Sequence, residues 1–219
     1  MDWNFISTYS GMFFEAARLT ITIALIGIAG SLLLGFLCSV IRYCHIPLLQ
    51  RIVGMYIELS RNTPLLIQLF FLYFGLPRIG IVLSSQTCAI VGLIFLGGSY
   101  MAESFRSGFE AVAKIQKESG LSLGLKKSQV FRLVVLPQAL AVAVPGFGAN
   151  VIFLIKETSV FSAVALADLM HVAKDLIGLY YKTDEALLML VAAYLVILLP
   201  ISIGFGLLEK RLRYAGLGN

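Results

Sequence analysis

Charged side chains are scarce in this sequence: only 13% of its 219 residues are Asp, Glu, Lys or Arg, about half the usual share of a water-soluble domain. So few charges cannot cover the surface of a soluble fold of this length. Histidine and cysteine are scarce too, with two and three copies. Cys38, Cys44 and Cys88 have neither metal-ligand nor redox spacing, and Cys38 and Cys88 fall inside apolar runs, where cysteine acts as a small hydrophobe. Neither His-Glu-x-x-His nor Gly-x-Ser-x-Gly occurs, so a membrane enzyme has no constellation to rest on. No catalytic residue and no metal site is expected. A phosphate loop is missing as well, because Gly120-Leu-Ser-Leu-Gly124-Leu-Lys-Lys-Ser128 has the wrong spacing. Any ATP and magnesium would therefore sit on another polypeptide, with no cofactor in this chain. The opening Met1-Asp2-Trp3-Asn4 lacks a positive n-region, so the first apolar helix is expected to remain in the mature protein.

Apolar residues make up 59% of the chain, and the mean hydropathy is +0.91. The bilayer must serve as solvent. The formal charge of +5 would by itself suggest nucleic acid. The positives lie between apolar runs rather than on one face, so membrane topology accounts for them and no nucleic-acid partner is expected.

About 20 apolar residues span the hydrocarbon core. Leu19–Ile41, Leu133–Ile155 and Ala186–Leu208 are uncharged and bounded by charge. A further span is expected at 87–106, after the turn-like Ser84-Ser85. The uncharged stretch Asn62–Pro77 is too short, so its helix is expected to start near Val53, giving a span at 53–77 that carries Glu58 and Arg61. The expected fold is all-α and polytopic, with five transmembrane helices. The stretch Thr158–Leu176 is broken by Asp168, Lys174 and Asp175 and is expected to be an interfacial or loop helix.

One set of loops holds Arg42, Arg51, Arg106, Lys114, Lys117, Lys126, Lys127, Arg132, Lys210, Arg211 and Arg213. The other holds only Arg18, Arg78, Lys156, Lys174 and Lys182. The richer set belongs in the cytoplasm. The C-terminus is then cytoplasmic, the N-terminus outside, and the loop Glu103–Arg132 lies within.

That loop carries the most information. Lys114–Leu123 suits a short amphipathic helix ended by Gly124, and Leu125–Phe131 is a second helical stretch. Within it stand Glu118-Ser119-Gly120, then Gly124, then Val134-Val135-Leu136-Pro137. This pattern resembles the cytoplasmic loop of ABC importer permeases: Glu-Ala-Ala, a Gly six residues after the Glu, nine residues, then Ile-x-Leu-Pro. Ser119, Gly120 and Val134 are the departures, and Gly120 should weaken the helix by up to about 1 kcal/mol relative to Ala. Arg61–Pro77, Tyr100–Arg106, Phe131–Gln138 and Ile155–Ser159 look like the polar amino acid branch of that family, which handles histidine, glutamine, glutamate and arginine.

The resemblance implies a type I importer-like permease in a bacterial inner membrane. It implies a second permease chain, two ATPase subunits and a periplasmic amino-acid-binding protein as partners. The segment 114–124 would be a coupling helix that docks on the ATPase through Lys114, Lys117, Glu118, Ser119, Gly120, Leu121 and Gly124. Small Ser119 and Gly120 would permit close approach.

Ionisable groups within a membrane point to function. Glu58 and Arg61, like Glu103 and Arg106, are three residues apart and can pair on one helix face. Asn62, Thr63 and Gln68 add polarity, and Pro64 kinks the helix. Two readings stand for these groups: structural pairing, or a polar lining of the path. Glu157, with Asn150, Thr158 and Ser159, is a candidate for a shallow substrate site, because a carboxylate accepts from an α-ammonium or a cationic side chain. Gly27, Gly30, Gly35, Gly204 and Gly206 suit tight helix packing. Gly97-Gly98-Ser99 suits it too, or contact with a second permease. An ion-coupled secondary transporter is the competing class. It would bind solute at discontinuous helices, but it does not require the Glu118–Pro137 spacing.

Overall fold

The computed structural model describes residues 1–216, with side chains through residue 212; Arg213 lies outside the described side chains. The described chain is helical and contains no strand. Four helical runs are long and apolar enough to cross a membrane: Trp3–Tyr43, Ser85–Ala111, Lys127–Val164 and Thr183–Leu212. A shorter apolar run spans Leu65–Ile79.

Helix α1 (Trp3–Tyr43) starts far earlier than residue 19. Asp2 caps it by accepting from the Phe5 amide at 3.1 Å. At 1.5 Å per residue its 41 residues reach about 60 Å, roughly twice the hydrocarbon core. The surplus N-terminal part buries Phe5, Phe13 and Ala16 against later elements. That burial depends on residues 180 positions away and leaves no apolar run to read locally.

The expected span 53–77 is built in pieces. Helix α2 (Pro47–Arg61) ends at Asn62, and α3 (Leu65–Phe70) restarts after Pro64. Pro64 has no N–H for the Ser60 carbonyl and sits extended at φ −60°, ψ 143°. Gln68 repairs the gap: its Nε2 donates to Ser60 O at 3.2 Å and Thr63 O at 3.0 Å. Proline here divides the helix rather than kinking it.

After α3 comes one π-helical turn, Phe71–Gly75, and a 3-10 turn, Leu76–Ile79. A second π turn, Phe131–Val135, occurs later, and both end two residues before a proline, Pro77 and Pro137. The proline ring excludes the carbonyl four residues back, and one wide turn absorbs the displacement.

Helix α4 (Ser85–Ala111) is capped by Ser84, which accepts from the Thr87 amide at 3.2 Å. It is the hub, packed between α1 and α7 (Leu136–Glu157). A β-carbon at Gly35 would stand 2.5 Å from Met101 Cβ, and one at Gly97 would collide with Ser31 Oγ. Ser31 Oγ donates across this seam to Leu93 O at 3.0 Å. Gly97, Gly98 and Ser99 are buried within this chain, Ser99 accepting from Ser60 at 3.1 Å. A β-carbon at Gly204 or Gly206 would meet nothing within 4 Å among the described residues.

Helices α5 (Lys114–Ser122) and α6 (Lys127–Val130) connect α4 to the second π turn. Gly124, at φ +84°, closes α5 in a Schellman turn: Leu125 N bonds Gly120 O at 3.2 Å and Gly124 N bonds Leu121 O at 2.9 Å. Helix α7 carries Pro145 without a break and runs into a 3-10 turn, Thr158–Val164. Helix α8 (Leu169–Tyr180) follows, capped by Asp168, and α9 (Thr183–Gly216) completes the chain. α8 packs on the start of α1 and of α9 through Leu169, Ala173, Leu176 and Ala186. It lies at the end of the bundle opposite α5. Elsewhere large apolar side chains such as Leu33, Leu37, Val196 and Ile203 are exposed, as the bilayer as solvent requires.

Candidate functional site

Two adjoining cavities open between α2, α4 and α7. The first, about 310 Å³, is lined by Arg61, Asn62, Thr63, Tyr100, Phe153 and Glu157 among others. The second, about 280 Å³, is lined by Arg61, Tyr100, Glu103, Ser104, Gly146 and Asn150 among others. Arg61 and Tyr100 belong to both, and the guanidinium lies 5.1 Å from the Tyr100 ring centroid. Asn150 is fixed by donating to Ser104 Oγ at 2.9 Å and Tyr100 O at 3.2 Å.

The structure thus brings Arg61, Glu103, Asn150 and Glu157 to one region. The expected Glu58–Arg61 pair does not form. Glu58 accepts from the Asn62 amide at 3.2 Å, and Arg61 turns to the Tyr100 ring. Gln68 is spent on the helix break, with its Oε1 buried and unpartnered. Thr158 is also turned away: it is fully buried and donates to Ile155 O at 2.7 Å, with Tyr194 Oη 3.2 Å off. Ser159 lines neither cavity. Tyr100 and Ser104 are the residues that sequence reasoning missed. The signal was their spacing of four, flanking Glu103 on one helix face.

Glu103 and Arg106 do pair, and the pairing is part of a chain. Arg106 Nη2 lies 2.7 Å from Glu103 Oε2, Arg106 Nη1 lies 2.7 Å from Glu110, and Arg42 Nη1 lies 2.7 Å from Glu103 Oε1. This arrangement clamps α1 to α4.

Helix α5 has two faces. Lys114, Ile115, Glu118, Ser119 and Leu121 are exposed. Lys114 pairs with Glu118 at 3.2 Å, a surface pair of small energetic weight. Lys117 and Gly120 face inward instead. A β-carbon at Gly120 would meet Val130 Cγ2 at 3.1 Å, so this glycine serves packing within the chain, not an outside surface. Lys117 Nζ donates to Phe109 O at 3.3 Å and sits 5.6 Å over the Tyr43 ring. The reason is register: three residues separate 117 and 120, so both fall on the side that rests on the bundle.

His45 Nδ1 donates to Arg42 O at 2.8 Å, and His171 lies 3.3 Å from Asp175. Among the described residues no cluster of His, Cys, Asp and Glu could hold a metal ion.

Comparison with known proteins is consistent throughout. Residues 31–214 match the family described as binding-protein-dependent transport system inner membrane component. A Bacillus subtilis protein named probable glutamine ABC transporter permease is 34% identical over 92% of this chain and 93% of its own length. The Escherichia coli K12 glutamine transport system permease is 31% identical over 97% of this chain and 98% of its own. A solved amino acid ABC transporter, crystallised with histidines, superposes with a TM-score of 0.89 at 28% identity, covering 96% of this chain and 99% of that one. An inward-facing methionine transporter shares the fold, with a TM-score of 0.78 at 18% identity over 94% of this chain and 98% of that one.

Proposed function

The chain belongs to the family of binding-protein-dependent transport system inner membrane components, and from that membership we propose how its cavities and its α5 helix divide the work of import. The protein is the membrane-spanning permease subunit of an ABC importer for amino acids. We take the solutes to be polar amino acids, as the relatives' names suggest. One chain forms half the pathway and pairs with a second permease. Two ATPase subunits carry the ATP and magnesium, and a periplasmic binding protein delivers the solute. The N-terminus lies outside and the C-terminus in the cytoplasm, with α2 and α3 together making the remaining crossing.

The observation that carries the substrate reading is the presence of opposite charges in the lining of one cavity. Arg61 lines the first cavity from the end of α2, and Glu157 lines it from the end of α7. An amino acid is a dipole of the same kind. The guanidinium suits the α-carboxylate, and the carboxylate suits the α-ammonium or a cationic side chain. Asn150 and Glu103 extend the polar lining on the side nearer α5. Low dielectric strengthens both interactions and penalises an unpaired charge.

For coupling, the exposed face formed by Lys114, Ile115, Glu118 and Leu121 docks on the ATPase. Closure of two ATPases displaces α5, and the spans tilt as rigid bodies. The test of the substrate site is Glu157→Gln in proteoliposomes containing the whole transporter. Uptake of the native amino acid should fall at least about tenfold, the loss of one charge-assisted bond. Parental uptake of every candidate amino acid would remove Glu157 from the site.

A further inference from the structure

We propose that Lys117 is a positioning residue that couples α5 mechanically to three spans, by holding the Tyr43 ring and the Phe109 carbonyl of an aromatic triangle formed by Tyr43, Phe109 and Phe131. The proposal rests on the reading of α5 as the segment the ATPase pushes.

The three rings touch one another. Tyr43 and Phe109 have centroids 5.4 Å apart, Tyr43 and Phe131 5.1 Å, and Phe109 and Phe131 5.5 Å. Tyr43 is the last residue of α1, Phe109 lies in the last turn of α4, and Phe131 opens the π turn that leads into α7. The triangle is therefore where the ends of three spans meet. It continues inward as a column: Phe105 stacks on Phe109 at 6.4 Å, and touches Phe36 of α1 at 5.4 Å and Phe147 of α7 at 4.6 Å. Rings in mutual contact pass a displacement from one span to the next; Tyr43 and Phe109 also line a cavity on their outer side.

Helix α5 itself touches little. Its backbone lies against α6 and the π turn. Among the described residues, Lys117 makes the one side-chain hydrogen bond from α5 to a spanning helix, to Phe109 O at 3.3 Å. That carbonyl is among the four at the end of α4 that have no helical partner, and the C-terminal dipole favours a cation there. The same ammonium lies over the Tyr43 ring at 5.6 Å. Arg42 and Arg106 beside it are bound to Glu103 and Glu110. Lys117 is the cation here that holds a carbonyl and a ring instead. A cavity of about 480 Å³ borders its stem, bounded by Ser39, Arg42, Gln50 and Glu110 among others. The joint thus has open space beside it.

The test uses the assembled transporter, with its ATPase and binding protein, in proteoliposomes. Lys117→Met keeps the stem and removes the cation; Lys117→Arg keeps the cation; Tyr43→Leu removes the ring beneath it. ATP hydrolysis, uptake and ATPase co-purification are read in the same preparations. Lys117→Met and Tyr43→Leu should retain the ATPase and hydrolyse ATP, while ATP consumed per solute imported rises at least about tenfold, in the range of ordinary coupling energies. Lys117→Arg should restore the ratio to within about threefold. A parental ratio in either Lys117→Met or Tyr43→Leu overturns the proposal. Loss of the ATPase from the Lys117→Met complex also overturns it, because Lys117 would then be a docking contact. Lys114→Ala, on the outer face, separates the two readings: it should weaken ATPase association, which Lys117→Met should not. Full association in that variant counts against α5 as the docking segment and leaves the split in Lys117→Met to be judged on its own.

Discussion

Arg42 at the end of α1 and Glu103 of α4 are 61 residues apart in sequence and 2.7 Å apart in space. Their side chains are about a quarter exposed, at 30% and 21%, so the pair is only partly desolvated. Arg106 holds the second carboxylate oxygen at 2.7 Å. Replacing Glu103 by Gln leaves two guanidinium groups facing a neutral amide. The variant should lose roughly 2 kcal/mol, below the full cost of breaking a buried pair. A double-mutant cycle with Arg42→Met, followed by thermal unfolding in detergent, should return a coupling of about 1 kcal/mol or more. Additive effects would mean the contact contributes nothing.

Helix seams should respond to added volume in a position-dependent way. Gly35→Ala sets a methyl 2.5 Å from Met101 Cβ and 2.8 Å from the Ala102 nitrogen. Backbone cannot move aside cheaply, so a loss of about 1–3 kcal/mol is expected. Gly204→Ala meets nothing within 4 Å among the described residues and should gain up to about 1 kcal/mol from helix propensity alone. Unfolding of both variants in the same detergent checks the contrast. A large loss at 204 would show that this face packs on another chain.

Asp168 caps α8 by accepting from the His171 amide at 3.0 Å, but its Oδ2 is buried without a partner. Burial pushes its pKa up from 3.8 to about 6, opposed by the bonds from the His171 and Met170 amides and by the nearby His171 ring. The folded value exceeds the unfolded one, so the group's contribution is complete below about pH 4 and is lost as pH rises through 6. Stability should therefore decline across that window by up to roughly 3 kcal/mol. Asp168→Asn keeps the cap acceptor and should flatten the decline. Unfolding temperatures at pH 4.5 and 7 decide it, and an unchanged slope would assign the titration elsewhere.

Gly124 holds φ +84° with open space around its α-carbon. The constraint is conformational rather than steric. Gly124→Asn should cost little, and Gly124→Val should cost about 1–2 kcal/mol locally, because a branched side chain disfavours the left-handed region. Protease sensitivity of the 114–126 segment should rise in the same order. Equal sensitivity in both variants would mean the turn does not organise α5.

The all-α membrane architecture was legible because apolar length is a local property: 133–155 and 186–208 fall within helices that the structure draws longer. The start of α1 was not, since Phe5 and Phe13 gain their burial from Leu169 and Ala186. Pro64 announced a kink in the span 53–77, whereas the structure divides the helix there. The Gln68 amide bonded to the Ser60 carbonyl is a tertiary detail that no spacing rule yields. At the candidate site, Arg61, Asn150 and Glu157 stood out because polar groups are conspicuous in apolar surroundings. Tyr100 did not, because tyrosine is unremarkable there. Lys117 and Gly120 were legible as part of α5, but the side of the helix they occupy depends on Phe109 and Val130.

The central claim is that the outer face of α5 meets an ATPase in the cytoplasm. Leu121 is 43% exposed on that face, and Leu179 is 71% exposed on α8 at the opposite end. With exposed Cys44 changed to Ser, and buried Cys38 and Cys88 left in place, a single cysteine introduced by Leu121→Cys or Leu179→Cys can be labelled and cross-linked in native membranes. The account predicts that Leu121→Cys reacts from the cytoplasmic side and cross-links to the ATPase, while Leu179→Cys reacts from outside and does not. Labelling of Leu121→Cys from the outer side, or its failure to cross-link in a complex that hydrolyses ATP, would contradict it.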